Sequence, residues 1–531
     1  MPQPAPLPGV RFLAVQPERQ PSSLRTDIAA FVGRARRGPV GGAVRIEGWP
    51  QFERVFGGVA EGALLPYAVR GYFENGGEIA YVTRTGVPPH APASAAWQIG
   101  ATQSVWGGIA WQPGEPAEAG FAAAEYEVVA ASPGTWGNAI VVDILYRRDG
   151  VGGAASLDFR ITVDGVPEET FRVPPENLSE SLQEASALIR ATPTQPQPQP
   201  PPNPTPGPTR RSWRLRLTGG ADPGFADLPA YETLIDALVA QAEPALFVFP
   251  DLHSDLPPAS DPLGISALGA VLARFAEASA LRLDRLAIID LPQSITQAHE
   301  AQAWLAQFPQ STAWTRTVTA YHPWVRVPAP PGAQAEPLRT VPPGGHVAGL
   351  ISRLDRERGA YLTPANAELR EAVDVEQPLD LLDGPRFSAL GINQVRCFAG
   401  RGLLVWGGRM LNPSVDETVF IAHRRLIHRL VRAIRRVADP LVFENNGPDL
   451  WYSLVRGITT ILLEAFRAGA LRGARPEEAF RVRCDDSLNP PSERDAGRLT
   501  CEIDVAPAAP MEFITLRVAF SVDGTVEVQQ P

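Results

Sequence analysis

Three short runs decide the fold: ALFVFPD at 245–251, LAIIDLP at 286–292 and RTVTAYHPWVRV at 316–327. Each is apolar and strand-like, and each follows a helical stretch, at about Tyr231–Ala242, Ile265–Ala280 and Ala298–Phe308. Helix and strand alternating at this spacing predict a parallel α/β layer, because parallel neighbours need a long crossover that is usually helical. The same grammar recurs upstream. IAAFVGRA (28–35) reads as a buried strand, GWPQFERVFG (48–57) as a helical turn, LLPYAVRGYFENGG (64–77) as an amphipathic helix, and EIAYVTRT (78–85) as a strand.

Between these two blocks the signals turn to β. EYEVVAAS (125–132), AIVVDILYR (139–147), LDFRITVDG (157–165) and WRLRLTGG (213–220) alternate between turn residues, with one helix expected at Leu178–Ile189. Residues 91–220 therefore form a β-rich domain. Nine of the chain's 55 prolines fall between Pro193 and Pro208. Chain that lacks so many N–H donors stays extended on the surface, so 193–208 reads as a solvated spacer, with a ligand for an aromatic groove as the alternative.

After the middle block, a domain from 386 to 513 opens with strands INQVRCF and GLLVWGGRM. It continues with helices at Glu417–Val437 and Leu450–Arg467 and closes with a hairpin from AFRVRC to LTCEIDV. Both chain ends look like arms. Residues 1–25 are proline-rich, with an alternation at Val10, Phe12 and Ala14 that suits a strand near Val10–Val15, and residues 514–531 carry a strand at Leu516, Val518, Phe520 and Val522. An isolated strand has no partner for its backbone groups. No repeat of solenoid or propeller length is visible.

Composition narrows the chemistry. Of 531 residues 58 are acidic and 48 basic, and every basic one is arginine. The absence of lysine excludes Schiff-base chemistry, a pyridoxal phosphate anchor and a P-loop. A net charge of −10 argues against a nucleic-acid partner, which calls for basic excess. Cys397, Cys484 and Cys501 are too few for a disulfide framework or a zinc site and read as reduced thiols. The N-terminus lacks the features of a signal peptide, and the longest run free of charge, Thr85–Gly114, is too polar to insert in a membrane.

Catalytic motifs are scarce. Asp251 and Asp290 follow parallel strands, where α/β ligand sites gather, and they define an alternative reading as a carboxylate enzyme. His299-Glu300 lacks a second histidine at Ala303, and no GxGxxG, HExxH or GxSxG occurs. No cofactor or metal is expected. A third reading is an adhesin that uses Trp97, Trp106 and Trp111 of the β-rich domain.

The helix from Glu417 says more. At 100° per residue, Arg424, Arg425, His428, Arg429, Arg432, Arg435 and Arg436 fall within roughly 140°, while Phe420, Leu426, Ile427, Leu430, Val431, Ile434 and Val437 cover the opposite face. Solvated helix faces usually mix signs to gain pairs four apart, and six arginines without an acid repel. This face is expected to meet an anionic partner. Residues 386–531 carry 19 Arg and 17 acids, a net of +2, so the rest of the chain carries −12.

Several collinear stretches resemble the tail sheath protein of contractile phage tails and related contractile injection systems. They are PGVRF, IAAFVGRARRGPV, WPQFERVFGG and LPYAVRGYFENGGEIAYVTR near the start, and SPGTWGNAI at 132–140. AYHPWVRV, VPPGGHVAGLISRLDRERG and PANAEL follow in the middle, and INQVRCFAGRGLLVWGGRML, HRRLIHRLVRAI, LVFENNGPDLW and PAAPMEFITLRVAF near the end. The resemblance lapses over about 91–130 and the proline tract, and GAYLTPANAEL lacks the family's usual Trp-Lys pair.

The resemblance implies a multidomain α+β and α/β protein. Residues 26–90 and 221–385 are two parts of one α/β domain, 91–220 decorate the outside, and 386–513 face an inner tube. It implies a homo-oligomer of stacked hexameric rings around an inner tube protein, joined to baseplate and terminal cap proteins, with no nucleic acid and no membrane insertion. Assembly is expected in the cytoplasm, in a virion or a particle released later. The strands at Val10, Phe12 and Val15 and at Leu516, Val518, Phe520 and Val522 would be donated to neighbours. The arginine face would grip the tube, and contraction would proceed without nucleotide hydrolysis.

Overall fold

A computed structural model describes residues 25–509 except 61, 100–123, 149–154, 176, 195–208, 257–261, 281, 307–316, 330–336, 380–382, 412–418 and 442–443, together with 517–520 and 526–529. An eight-stranded sheet organises the α/β domain. In spatial order it runs Gly402–Trp406, Ile392–Phe398, Val318–His322, Leu286–Asp290, Leu246–Val248, Ala29–Gly33, Ala80–Arg84 and Ala43–Ile46. The inner strands are parallel, and an antiparallel strand closes each edge.

The strand sequences read as nearly continuous apolar runs because both faces are covered. Ala29, Phe31, Leu246, Val248, Leu286 and Ile288 point into one core, beneath the helices Trp49–Phe56, Leu65–Glu74 and Gly344–Arg358. Ala30, Val32, Phe247, Ala287 and Ile289 point into the other, beneath Leu228–Ala240, Pro262–Ala280 and Ala298–Leu305. The expected helix–strand alternation is present in all three repeats, but the run 316–327, expected as one strand, holds two: Val318–His322 in this sheet and Val325–Pro328 in a three-stranded sheet with Leu338–Val341 and Asp374–Val375. On the first face Leu65–Glu74 and Gly344–Arg358 approach to backbone contact. A Cβ on Gly345 would lie 2.3 Å from the Ala68 carbonyl oxygen, and one on Gly349 2.3 Å from that of Tyr72.

The sheet moves one expected boundary. Ile392–Phe398 pairs in parallel with Val318–His322, and Gly402–Trp406 pairs with Ile392–Phe398. INQVRCF and GLLVWGGRM thus belong to the α/β domain rather than opening a C-terminal domain at 386. Ile392 and Val395 are buried in opposite cores, as a strand covered on both faces requires.

The β-rich domain has two sheets on one core. Ser94–Ile99, Ala124–Ala130 and Ile189–Pro193 form one, and Thr209–Arg216, Ile140–Arg148, Ala155–Val163 and Val166–Val173 the other. Trp97 is 1% exposed at their centre, edge-on to Phe159 and Trp213, so it serves packing rather than adhesion. Trp106, Trp111 and residues 195–208 of the proline tract lie outside the described residues, while Pro193, at the tract's start, ends the strand Ile189–Pro193. The helix expected to reach Ile189 ends at Ala185. Ser186 turns to extended geometry, its Oγ accepts the N–H groups of Leu188 and Ile189, and Ile189 opens a strand.

The C-terminal unit begins at the helix Ile421–Ala438, which packs with Pro448–Arg467 and the hairpin Phe480–Arg483/Glu502–Val505. No helix among the described residues is long and apolar enough to cross a membrane.

Candidate functional site

The Ile421–Ala438 helix is built as its sequence predicts on one side only. Leu426, Leu430 and Ile434 pack with Ile458 and Leu462 of the neighbouring helix. The opposite, cationic side lies largely against the α/β domain. Arg425 is 1% exposed and donates from Nη2 to Asp355 Oδ2 at 2.6 Å, while Arg429 lies 3.6 Å from the other Asp355 oxygen. Two helical turns beyond Arg425, Arg432 donates from Nε to Asp284 Oδ2 at 2.7 Å, from Nη1 to the carbonyls of Arg25 and Glu243, and from Nη2 to that of Pro244. Arg435 lies 3.8 Å from Asp284 Oδ1.

His428 sits between these two anchors and is completely buried. Its ring nitrogens have no hydrogen-bond partner among the described residues, and burial together with Arg424, Arg425, Arg432 and Arg285 pulls its pKa well below the usual imidazole value. It is a neutral ring packed among guanidinium groups. Arg425, His428 and Arg432, expected on an outward face, are therefore interior groups that seat the helix. The missing acids come from distant segments, Asp355 from the Gly344–Arg358 helix and Asp284 from just before the strand Leu286–Asp290. Of the remaining arginines, Arg424, Arg429 and Arg435 are partly exposed and Arg436 is exposed.

One sequence signal could have revealed this docking. Asp355 lies four residues after Ile351 on the buried stripe of its helix, where an uncompensated carboxylate is costly.

The strand-end carboxylates have structural work. Asp251 is fully buried and accepts the backbone N–H groups of Arg34 and Leu64, both at 2.8 Å, and of Leu65 at 3.0 Å. It ties the loop after Ala29–Gly33 to the start of the Leu65–Glu74 helix. Asp290 accepts the Gly344 N–H at 2.7 Å, at the N-terminus of the Gly344–Arg358 helix, and burial pushes its pKa up to about 8. Nearby, Glu300 accepts the N–H groups of Thr296 and Gln297 and completes a capping box, which accounts for the His299-Glu300 pair. Among the described residues no cluster of histidine, cysteine and carboxylate side chains has the makings of a metal site.

The hairpin Phe480–Arg483/Glu502–Val505 stands as a two-stranded sheet among the described residues, with Phe480, Val482, Ile503 and Val505 only partly buried. The terminal strand Arg517–Phe520 is not solitary. It pairs with Val526–Gln529, Val518 opposite Val528 and Phe520 opposite Val526. Val10, Phe12, Val15, Leu516 and Val522 lie outside the described residues.

Residues 417–521 match the family of phage tail sheath C-terminal domains. The chain is 31% identical over 189 residues to the tail sheath protein of Vibrio phage KVP40, covering 35% of this chain and 27% of that one. It is 28% identical over 253 residues to the tail sheath protein of Burkholderia phage BcepMu, covering 45% and 50%. It thus spans half or less of the length of these two curated relatives. Its fold is that of the anti-feeding prophage helical sheath in the contracted state, with a TM-score of 0.55 at 20% identity, covering 97% of this chain and all of that one. A sheath tail protein from Listeria innocua gives a TM-score of 0.57 at 12% identity, covering 87% and 89%.

Proposed function

We propose that this chain, which carries a phage tail sheath C-terminal domain at 417–521 and a sheath-like fold throughout, is a structural subunit of a contractile sheath. The observation that carries the reading is that domain. The chain polymerises as stacked six-membered rings around an inner tube and contracts without hydrolysing nucleotide to drive the tube through a target envelope. It has no catalytic role, consistent with Asp251 and Asp290 being spent on backbone N–H groups.

The two-stranded hairpin supports a strand-exchange lattice. A sheet with unpaired edges accepts an extended segment through backbone hydrogen bonds, and alternate side chains of that segment fill pockets. The arms at Val10, Phe12 and Val15 and at Leu516, Val518, Phe520 and Val522 are the donated segments. A heterologous contact of this kind does not close on itself and so builds a filament. Arg424, Arg429, Arg435 and Arg436 form the inner-tube contact, with Arg425, His428 and Arg432 holding their helix in place behind them. Charged contacts hold the extended state and break without unfolding. Contraction is then a rotation and sliding of subunits from a metastable packing to a lower one. The baseplate and a terminal cap bound the filament, which assembles in the cytoplasm and acts from a virion or a released particle.

Negative-stain microscopy and sedimentation of the purified chain test this. Hollow cylinders or rings are expected, and deletion of 1–16 or of 514–531 should leave a folded monomer. Unchanged tubes from either truncation would sink strand exchange. A small discrete species whose turnover of substrate depends on Asp251 or Asp290 would favour the enzyme.

A further inference from the structure

Two of the three cysteines meet at one end of the C-terminal hairpin. Its antiparallel register sets Val482 opposite Ile503 and Arg483 opposite Glu502, so the next step sets Cys484 opposite Cys501. Directly opposed residues of an antiparallel pair have Cβ atoms about 4.5–5.5 Å apart, close to the span of a disulfide. The Cys484 thiol lies 3.6 Å from the carbonyl oxygen of Thr500, the residue next to Cys501. Both are partly buried, whereas Cys397 is exposed on a different sheet.

The loop they bracket is already closed on itself. Asn489, fully buried, donates from Nδ2 to the carbonyls of Thr500 at 2.9 Å and Asp485 at 3.1 Å, and accepts the Thr500 N–H at 2.7 Å. Arg483 and Glu502 form an ion pair on the strand side. The ends of the loop are therefore held in place from both directions, and a bond between the sulfurs asks for little backbone movement.

We propose that Cys484 and Cys501 are a redox-sensitive pair, reduced as the chain is made and closed to an intrachain disulfide by a disulfide oxidant such as oxidised glutathione. The Cys484 thiolate attacks one sulfur of the oxidant and expels a glutathione thiolate, giving a mixed disulfide. Cys501 then loses its proton to solvent and attacks Cys484 Sγ, expelling the second glutathione thiolate. Each expelled thiolate takes up a proton. The protein thiols lose two electrons in all and one glutathione disulfide becomes two thiols. Burial, with the Cys484 thiol beside it, pushes the Cys501 thiol up to about 12, which assigns it the second step.

The new bond staples the hairpin at its loop end. That this hairpin accepts donated strands rests on the sheath reading; the thiol chemistry does not. The staple would fix the acceptor's two strands once a particle leaves a reducing compartment.

Peptide mapping of the full chain decides it. The protein is freed of reductant, incubated with oxidised glutathione, capped with N-ethylmaleimide and cut with trypsin without reduction. With no lysine present, Cys484 falls in the peptide 484–494 and Cys501 in 499–517. The expected result is these two peptides joined, two hydrogens lighter than their sum, with Cys397 capped and the chain monomeric on a non-reducing gel. Both peptides individually capped, each carrying glutathione, or joined only between chains would overturn the proposal. In Cys484→Ser, Cys501 should stay capped. Oxidation should raise the melting temperature of the wild type and not that of the doubly substituted Cys484→Ser, Cys501→Ser chain; linked peptides without that shift would overturn the stapling. The mapping reads the same whether or not the chain forms tubes.

Discussion

Arg425 and Asp355 form a buried ion pair, 2.6 Å between Nη2 and Oδ2, that joins the C-terminal unit to the α/β domain. Asp355 is saturated by its neighbours, since Thr26 donates to the same oxygen and Arg429 approaches the other. Burial alone would make an unpaired Arg425 costly and pulls its pKa down, so the pair is mutually dependent.

Removing one partner should therefore be expensive. Asp355→Ala is expected to destabilise the chain by about 3–5 kcal/mol, because it strands a buried guanidinium. Replacing both, as Asp355→Leu with Arg425→Met, should recover most of that loss. Urea denaturation of the single and double variants measures the coupling; additive effects would show that the two side chains act independently.

Charge reversal separates the two classes of arginine on the helix. Arg425→Glu should prevent stable folding, since it sets two carboxylates together inside the protein. Arg436→Glu, at an exposed position, should change stability by less than about 0.5 kcal/mol while weakening co-sedimentation with the inner tube. Full tube loading by Arg436→Glu would place the tube contact elsewhere.

Asp290 makes stability fall with pH. Its folded pKa of about 8 lies above the ordinary carboxyl value near 3.9, so the folded state holds the proton more tightly. Its contribution is complete below about pH 4 and is lost as pH rises towards 8, at up to about 1.4 kcal/mol per unit. Asp290→Asn retains an acceptor for the Gly344 N–H and cannot ionise, so its denaturation midpoint should vary less between pH 4 and 8. Identical slopes for the two proteins would mean that Asp290 ionises freely in the folded state.

Gly345 tests the helix contact over the sheet. Gly345→Ala presses a methyl group into the Ala68 backbone and should cost about 2–3 kcal/mol, whereas Gly42→Ala, whose nearest neighbour lies 3.9 Å away, should cost less than about 0.5 kcal/mol. Thermal unfolding of both variants gives the comparison.

Local pattern carried much of the architecture. The runs at 245–251 and 286–292 and the first part of 316–327 read as strands because a parallel strand covered on both faces needs apolar residues at consecutive positions, and that demand is written in the strand itself; the break after His322, which sends Val325–Pro328 into a separate antiparallel sheet, was not. The amphipathic character of Ile421–Ala438 was legible for the same reason, as periodicity is a property of neighbouring residues. The motif run resembling sheath proteins ends in the segment that the phage tail sheath C-terminal domain matches.

Partners distant in the chain decided the rest. A helical wheel displays Arg425 and Arg432 but not Asp355, 70 residues before the one, or Asp284, 148 before the other, so it could not tell an outward cationic face from a docked one. Likewise Ile392–Phe398 follows the middle block and precedes the C-terminal helices, and only its pairing with Val318–His322 places it in the large sheet. Cys484 and Cys501 were two scattered thiols until the register Arg483 to Glu502 set them opposite each other. In sequence each residue shows its own preference and that of its near neighbours. Which charge is neutralised, which strand finds which edge and which thiols meet depend on contacts closed across long stretches of chain, and only the folded molecule holds those.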